Sequence, residues 1–230
     1  MKKLLSLSLA SIACAALAAD FSPNIGVHQF TSSDDNFLLP VEFNSLSGAS
    51  EISPRELVAT NGLDVGTCLY IFKNNAYTAW QLLDSGWTAA ATSDSELGPI
   101  PADPTVTLAA GSAIWISGVS GKNISIYGQV TNAYSVTIVA GSKLSPINYL
   151  LCNPTGTAAS LGAKFSGTPA VGDTIRLIGD STAATYTYGG AAGWYKILPG
   201  AAPTTSSLPT IAGHQGFWYM SKGGSGTVTW

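Results

Sequence analysis

The sequence predicts an all-β protein: two tandem, sequence-related β-sandwich or barrel-like modules behind a cleaved signal peptide. Three observations carry that expectation. Short β-branched and aromatic runs are punctuated by Gly and Pro, a set of motifs recurs in fixed order, and the N-terminus is apolar in the secretory manner.

The strand signals are local. Cys68–Lys73 (CLYIFK), Ala113–Ser117 (AIWIS) and residues 123–128, 135–139 and 174–178 are short runs bounded by Gly, Asn, Asp, Ser or Pro. Their side chains suit a pleated, half-buried surface. Twenty-five glycines and twelve prolines supply the turns between them. The helical signal is at residues 53–59 (SPRELVA), where Ser53 can cap and Pro54 takes the first helical position, at which its missing N–H loses nothing.

The recurrence organises the chain. Asn36-Phe37-Leu38-Leu39-Pro40 returns as Asn148-Tyr149-Leu150-Leu151-Cys152, 112 positions on. VGTCLYIF from Val65 returns as VGDTIRLI from Val171 at an offset of 106, and Gly86-Trp87 as Gly193-Trp194 at 107. Pro104-Thr105 returns at Pro209-Thr210, offset 105, and AGSAIWIS from Ala110 as AGHQGFWYMS from Ala212, with Trp115 matching Trp218 at 103. The order is kept and the offsets drift as loop insertions require. The expected division is a leader at 1–18, a first copy at 19–133 and a second at 134–230. With their Gly-Trp corners and a Gly-Phe-Trp strand, the copies resemble Gly-Trp and Gly-Phe-Trp β modules of bacterial secreted and surface proteins. The resemblance covers both halves, and its short motifs carry no functional residue across.

The leader has Lys2 and Lys3, an uncharged apolar run over residues 4–16, and Ala16-Leu17-Ala18 as the small-x-small cleavage signal. That run is too short to span a bilayer, which takes about 20 helical residues. The expectation is cleavage after Ala18, no transmembrane helix, and export to the periplasm, cell surface or extracellular space. Cys14 offers a lipoprotein alternative, but Ser11 stands where a lipid-attachment box has Leu. The closing GTVTW also has the aromatic ending of outer-membrane barrel strands, yet Gly223, Gly224 and Gly226 interrupt the length that spanning needs. A closing strand of the second copy is the simpler reading.

Without the leader the chain keeps eight basic and thirteen acidic residues, a net charge of −5, which repels phosphate backbones and argues against a nucleic-acid partner. The charged fraction of 10% is far below the usual value of about 25%, and Ser, Thr, Gly and Ala fill the deficit, a surface suited to close neighbours.

Few residues offer chemistry. Cys68 and Cys152 are either a candidate disulfide, permitted by export, or two buried thiols. His28 and His214 stand far apart; His214, in AGHQG, takes the place of Ser112 and reads as a turn residue before a strand. Two histidines and two cysteines so spread show no zinc-ligand spacing. Asp34 with Asp35, Asp94 with Glu96, and Asp173 with Asp180 are the local carboxylate pairs a glycosidase would draw on, and all sit in turn-like contexts. Nucleotide and phosphate loops are missing, and no cofactor is expected.

Aromatics are in surplus, with six Trp, nine Tyr and seven Phe. Trp80, Trp87, Trp194 and Tyr195 lie near expected loops or strand ends and are candidate platforms for sugar rings. Trp115 and Trp218 read as equivalent core residues of the two copies. The expected function is non-enzymatic, in adhesion, envelope or assembly, with glycans or other envelope proteins as partners. The alternatives are a carbohydrate-binding module and a glycan hydrolase working through a carboxylate pair.

Overall fold

The computed structural model of the protein describes residues 24–93, 98–132 and 134–230. The leader, with Lys2, Lys3, Cys14 and Ala18, lies outside the described residues, as do Asp94 and Glu96.

The fold is mainly antiparallel β. The first half contains β1 (Ile25–Thr31), β2 (Asn36–Pro40), β3 (Phe43–Asn44), β4 (Glu51–Ile52), helix α1 (Pro54–Leu57), β5 (Cys68–Lys73), β6 (Ala76–Leu83), β7 (Gly86–Ala89), β8 (Leu108–Ala109), β9 (Ala113–Ser117) and β10 (Asn123–Val130). The second contains β11 (Ser135–Ile138), β12 (Ile147–Cys152), β13 (Ala159–Ser160), helix α2 (Leu161–Lys164), β14 (Phe165–Thr168), β15 (Thr174–Leu177), β16 (Thr185–Tyr188), β17 (Trp194–Ile197), β18 (Thr204–Ser206), β19 (Thr210–Ile211), β20 (Gly216–Ser221) and β21 (Ser225–Thr229). The expected helix is present as a single turn: Ser53 Oγ accepts from Glu56 N at 3.2 Å and Pro54 opens it. Asn74 and Asn75, both at positive φ, form the two-residue turn that closes the β5–β6 hairpin.

The larger sheets share one order. In the first it is β2-β9-β5-β6-β7, and in the second β12-β20-β15-β16-β17, with β18 added at the edge. The ladders agree residue by residue. Trp115 pairs with Leu38 and Tyr70, and Trp218 with Leu150 and Arg176. Cys68 pairs with Ser117 and Thr174 with Met220, each two places past the tryptophan. Trp87 faces Leu82, and Trp194 faces Tyr188. The small sheets follow suit: β4–β8 parallels β13–β19, and β1–β10 parallels β11–β21. Directly after its helical turn, each half pairs with the closing strand, the first through the single bridge of Val58 to Ile126 and the second through β14, which begins with Phe165 against Val228.

Because side chains alternate across a strand, each large sheet has two apolar faces. One face of the first sheet, with Leu39, Leu69, Ile71, Trp80, Ile114 and Ile116, closes over a core shared with β10 and α1. The corresponding face of the second, with Leu151, Ile175, Phe217 and Tyr219, closes over a core completed by Val136, Val228 and Trp230. The opposite faces meet in a middle layer of Leu38, Phe72, Ala113 and Trp115 against Leu150, Cys152, Ile178 and Trp218. Both faces of β20 are therefore covered, and Phe217, Trp218 and Tyr219 all find apolar partners. Phe72 meets Trp218 edge to face at 4.8 Å between centroids. The halves also join through the backbone: Cys152 N donates to Gly111 O at 2.9 Å, and Ser112 bridges Leu151.

Gly216 packs closely at this contact: a Cβ there would lie 1.9 Å from Leu38 Cδ2 of the other half, and that side-chain end would have to shift. Gly216→Val is expected to lower unfolding free energy by about 1–3 kcal/mol through overpacking. Adding Leu38→Ala should cost less than the sum of the two single changes in urea unfolding, because the residues share one space. Strict additivity would contradict the close approach.

Candidate functional site

The four candidate platforms are core or half-buried residues. Trp80, Trp87 and Trp194 are 4%, 5% and 9% exposed, and Tyr195 lies half-buried against Gly189. Trp87 is fixed by its Nε1–H, which donates to Val58 O at 2.7 Å. A sugar ring cannot stack on faces already covered by protein. A groove of about 770 Å³ does run between the halves, past Phe72, Lys73, Glu51, Val136 and Tyr149, and none of the four candidates lines it.

The candidate disulfide is not formed. Cys68 and Cys152 carry free thiols. Burial pushes both thiols up from their ordinary range, and Cys152 Sγ donates to Ser112 O at 2.9 Å. Thiolate chemistry at neutral pH is thereby disfavoured.

Among the described residues, Asp173, Asp180 and Asp34 each serve as hydrogen-bond acceptors at turns. Asp173 is fully buried and accepts from Tyr219 Oη at 2.9 Å, Lys222 N at 2.7 Å and Ala170 N at 3.0 Å, so it is a structural acceptor. Burial, together with the neighbouring Asp173 charge, pushes the Tyr219 hydroxyl upward. Asp180 is an exposed turn residue whose carboxyl is held below its usual range by hydrogen bonds from the Thr182 backbone and side chain. Asp34 accepts from Ser33 Oγ at 3.2 Å in an exposed turn.

What the fold brings together is a set that spacing in the chain does not predict. His28, Glu42 and His214 converge, with one ligating atom from each within 4.8 Å of the others. His28 Nδ1–H donates to Glu42 Oε2 at 2.7 Å. His214 Nδ1 lies 2.7 Å from Glu42 Oε1 but without hydrogen-bond alignment, so both of those atoms are left without a hydrogen-bond partner. The Glu42 side chain is 8% exposed, while those of His28 and His214 are 36% and 30% exposed, so the carboxylate is enclosed and the rings form its rim. Phe30 lies beside both rings, at 4.1 Å from His28 and 5.6 Å from His214.

Each member is placed by a different element. His28 is in register with Ile126 on β1, two residues from Phe30 and on the same face. Glu42 follows β2, whose path is continued when Val41 N donates to Ser112 O and Gly111 N to Val41 O. His214 is the third residue of a turn closed by Gln215 N donating to Ala212 O, and its φ is 58°. The equivalent turn, closed by Ser112 N to Ala109 O, has Gly111 at φ 100° in that place. The counterpart of His214 is therefore Gly111 and not Ser112. A left-handed backbone is ordinary for glycine and uncommon for histidine. Fully buried Asn153 holds the turn, its Nδ2 donating to Ile211 O and Ala212 O while its own carbonyl accepts from His214 N at 2.9 Å.

The same register identifies the opposite junction. Val136 stands in β11 where His28 stands in β1, Pro154 where Glu42 stands, and Gly111 where His214 stands. These positions also meet, since a Cβ on Gly111 would lie 3.1 Å from Val136 Cγ2. One junction is apolar and the other carries three polar donors. Pro40, the counterpart of Cys152, has no N–H with which to repeat the backbone bond to the turn.

Two imidazoles and a carboxylate can share protons or hold a cation. No family model, curated protein or solved structure matches this chain. Among the described residues no helix is long and apolar enough to cross a membrane.

Asn153→Ala removes the donor for two carbonyls of the His214 turn, and a loss of about 3 kcal/mol is expected in urea unfolding. A loss under about 0.5 kcal/mol, the range of an ordinary surface substitution, would show that the turn is held otherwise.

Proposed function

We propose that the protein is a non-enzymatic, exported β protein of two modules with a common origin, working in adhesion or assembly at the cell envelope or surface. The observation that supports this reading is the repeated ladder register, with Trp115 and Trp218, Trp87 and Trp194, and Cys68 and Thr174 in matching positions. Register fixes which side chains point inward, so it outlasts sequence identity while loop lengths drift. Two sheets joined back to back through an apolar layer form a stiff spacer with two ends, a construction suited to holding surfaces together. The covered aromatic rings favour envelope proteins over glycans as partners. The 10% charged fraction leaves a surface that neighbouring chains can approach with little desolvation of charge.

The purified protein is expected to show no turnover on glycan or peptide panels, and the expressed protein to leave the cytoplasm on cell fractionation. Hydrolysis abolished by substitution of a single Asp or Glu would overturn the non-enzymatic reading, and retention in the cytoplasm would overturn the exported one.

A further inference from the structure

We propose that His28, Glu42 and His214 bind a first-row divalent transition metal ion, zinc or one of its neighbours, at the junction between the two halves. Four features of the junction support the assignment, and none concerns the reading of the protein as an adhesion or assembly component.

The first is the carboxylate. Glu42 is 6% exposed, among the described residues it pairs with no lysine or arginine, and its Oε1 accepts no hydrogen bond. Its other titratable neighbours bring no compensating positive charge. Burial pushes both Tyr134 and Cys152 up, and the Glu42 charge raises each of them further. An enclosed carboxylate needs a counter-charge. With no lysine or arginine beside Glu42 among the described residues, a cation held between the three groups supplies that charge.

The second is the way the donors face one another. His214 Nδ1 and Glu42 Oε1 are 2.7 Å apart without hydrogen-bond alignment. Two electron-rich atoms held that close without an aligned hydrogen bond between them suit a cation placed beside both. Metal–nitrogen and metal–oxygen bonds of about 2.0–2.2 Å place such a pair close to a right angle at the ion, as two cis ligands of an octahedron. Two donors on one ion can be at most about 4.2 Å apart, so the widest pair must close by about half an ångström, within reach of a small rotation of a rim histidine.

The third is the donor set. Imidazole with one carboxylate suits zinc, copper, nickel, cobalt and iron, while calcium and magnesium prefer oxygen alone. Three protein donors leave coordination positions for water, which reaches the site past the half-exposed rings.

The fourth is the comparison within the chain. On the same backbone frame the opposite junction has Val136, Pro154 and Gly111. The frame therefore closes without polar groups. The histidine at 214 also occupies a left-handed position that glycine would take at no steric cost. A strained rim residue, an unmatched buried charge and a second histidine on one spot are each unfavourable alone, and a shared metal ion accounts for all three.

The test is zinc titration of the purified protein by calorimetry, with cobalt(II) absorption as an independent readout, beside His214→Gly and His28→Val. Both variants install the residue of the opposite junction, so the fold is expected to persist, and His214→Gly relieves the left-handed strain. Circular dichroism and thermal unfolding of the metal-free variants check this. The parent is expected to take up one zinc per chain and to unfold at a higher temperature when loaded, as a ligand specific to the native state requires. Each variant should bind on the order of 100-fold more weakly or more, with the thermal shift lost. Absence of saturable uptake by the parent, uptake undiminished in folded His214→Gly, or a preference for calcium or magnesium would overturn the assignment. None of these results bears on catalytic turnover or export, so failure here is distinguishable from failure of the functional reading.

Discussion

The middle apolar layer is the contact on which the rest of the structure depends. A sheet with one apolar face needs one cover, but here both faces of each large sheet are apolar and each requires two. Each sheet covers its first face with its own half and its second with the other half. Leu150 and Cys152 are therefore buried, and Leu38, Trp115 and Trp218 partly buried, only because the two halves are together. That contact also presses the turn ending in Ser112 against β12, and the turn ending in Gln215 against the end of β2. The loops that form the two junctions are positioned by it.

Strand alternation explains how much of this was legible in the sequence. The limits of β5 and β9 coincide with the runs CLYIFK and AIWIS, because short apolar strands bounded by turn residues carry their own signal. The correspondence of Trp115 with Trp218 was likewise readable, since flanking motifs fix the register. Depth was not. Trp80, Trp87 and Trp194 sit beside turns in the chain, and proximity to a turn resembles exposure in one dimension. In the fold β6, β7 and β17 are strands whose tryptophans point into the two outer cores. The depth of Asp173 is hidden in the same way, although it does stand at a turn. It follows Gly172 in what looks like a solvent turn, yet it is the buried acceptor that Tyr219 and three backbone amides converge on.

The histidine–glutamate cluster was illegible for a topological reason. His28 and Glu42 are fourteen residues apart, on β1 and beyond the end of β2, and His214 lies in the other half of the chain. No spacing rule connects them. Two signals were present nonetheless. Glu42 is a single charge in the apolar run Phe37-Leu38-Leu39-Pro40-Val41-Glu42-Phe43, which is an unfavourable place for a carboxylate without a partner. From Ala-Gly to the tryptophan, AGHQGFW is one residue longer than AGSAIW, and matching on the tryptophan instead of on Ala-Gly puts His214 opposite Gly111.

The two halves have two junctions at matching ladder positions, and the two are closed in opposite ways. At Val136, Pro154 and Gly111 the closure is apolar, and Cys152 adds a backbone hydrogen bond to the turn. At the other junction Pro40 cannot make that bond; the turn is held within its own half by Asn153, next to β12, and is faced across the junction by side chains. A junction freed from its backbone bond can change its side chains without breaking the sheet, because the middle layer supplies the adhesion between the halves in either case. Polar groups accumulate there at a local cost that the apolar contact nearby absorbs. The asymmetry between the junctions therefore follows from a division of labour, in which burial holds the halves together and leaves one seam able to carry chemistry.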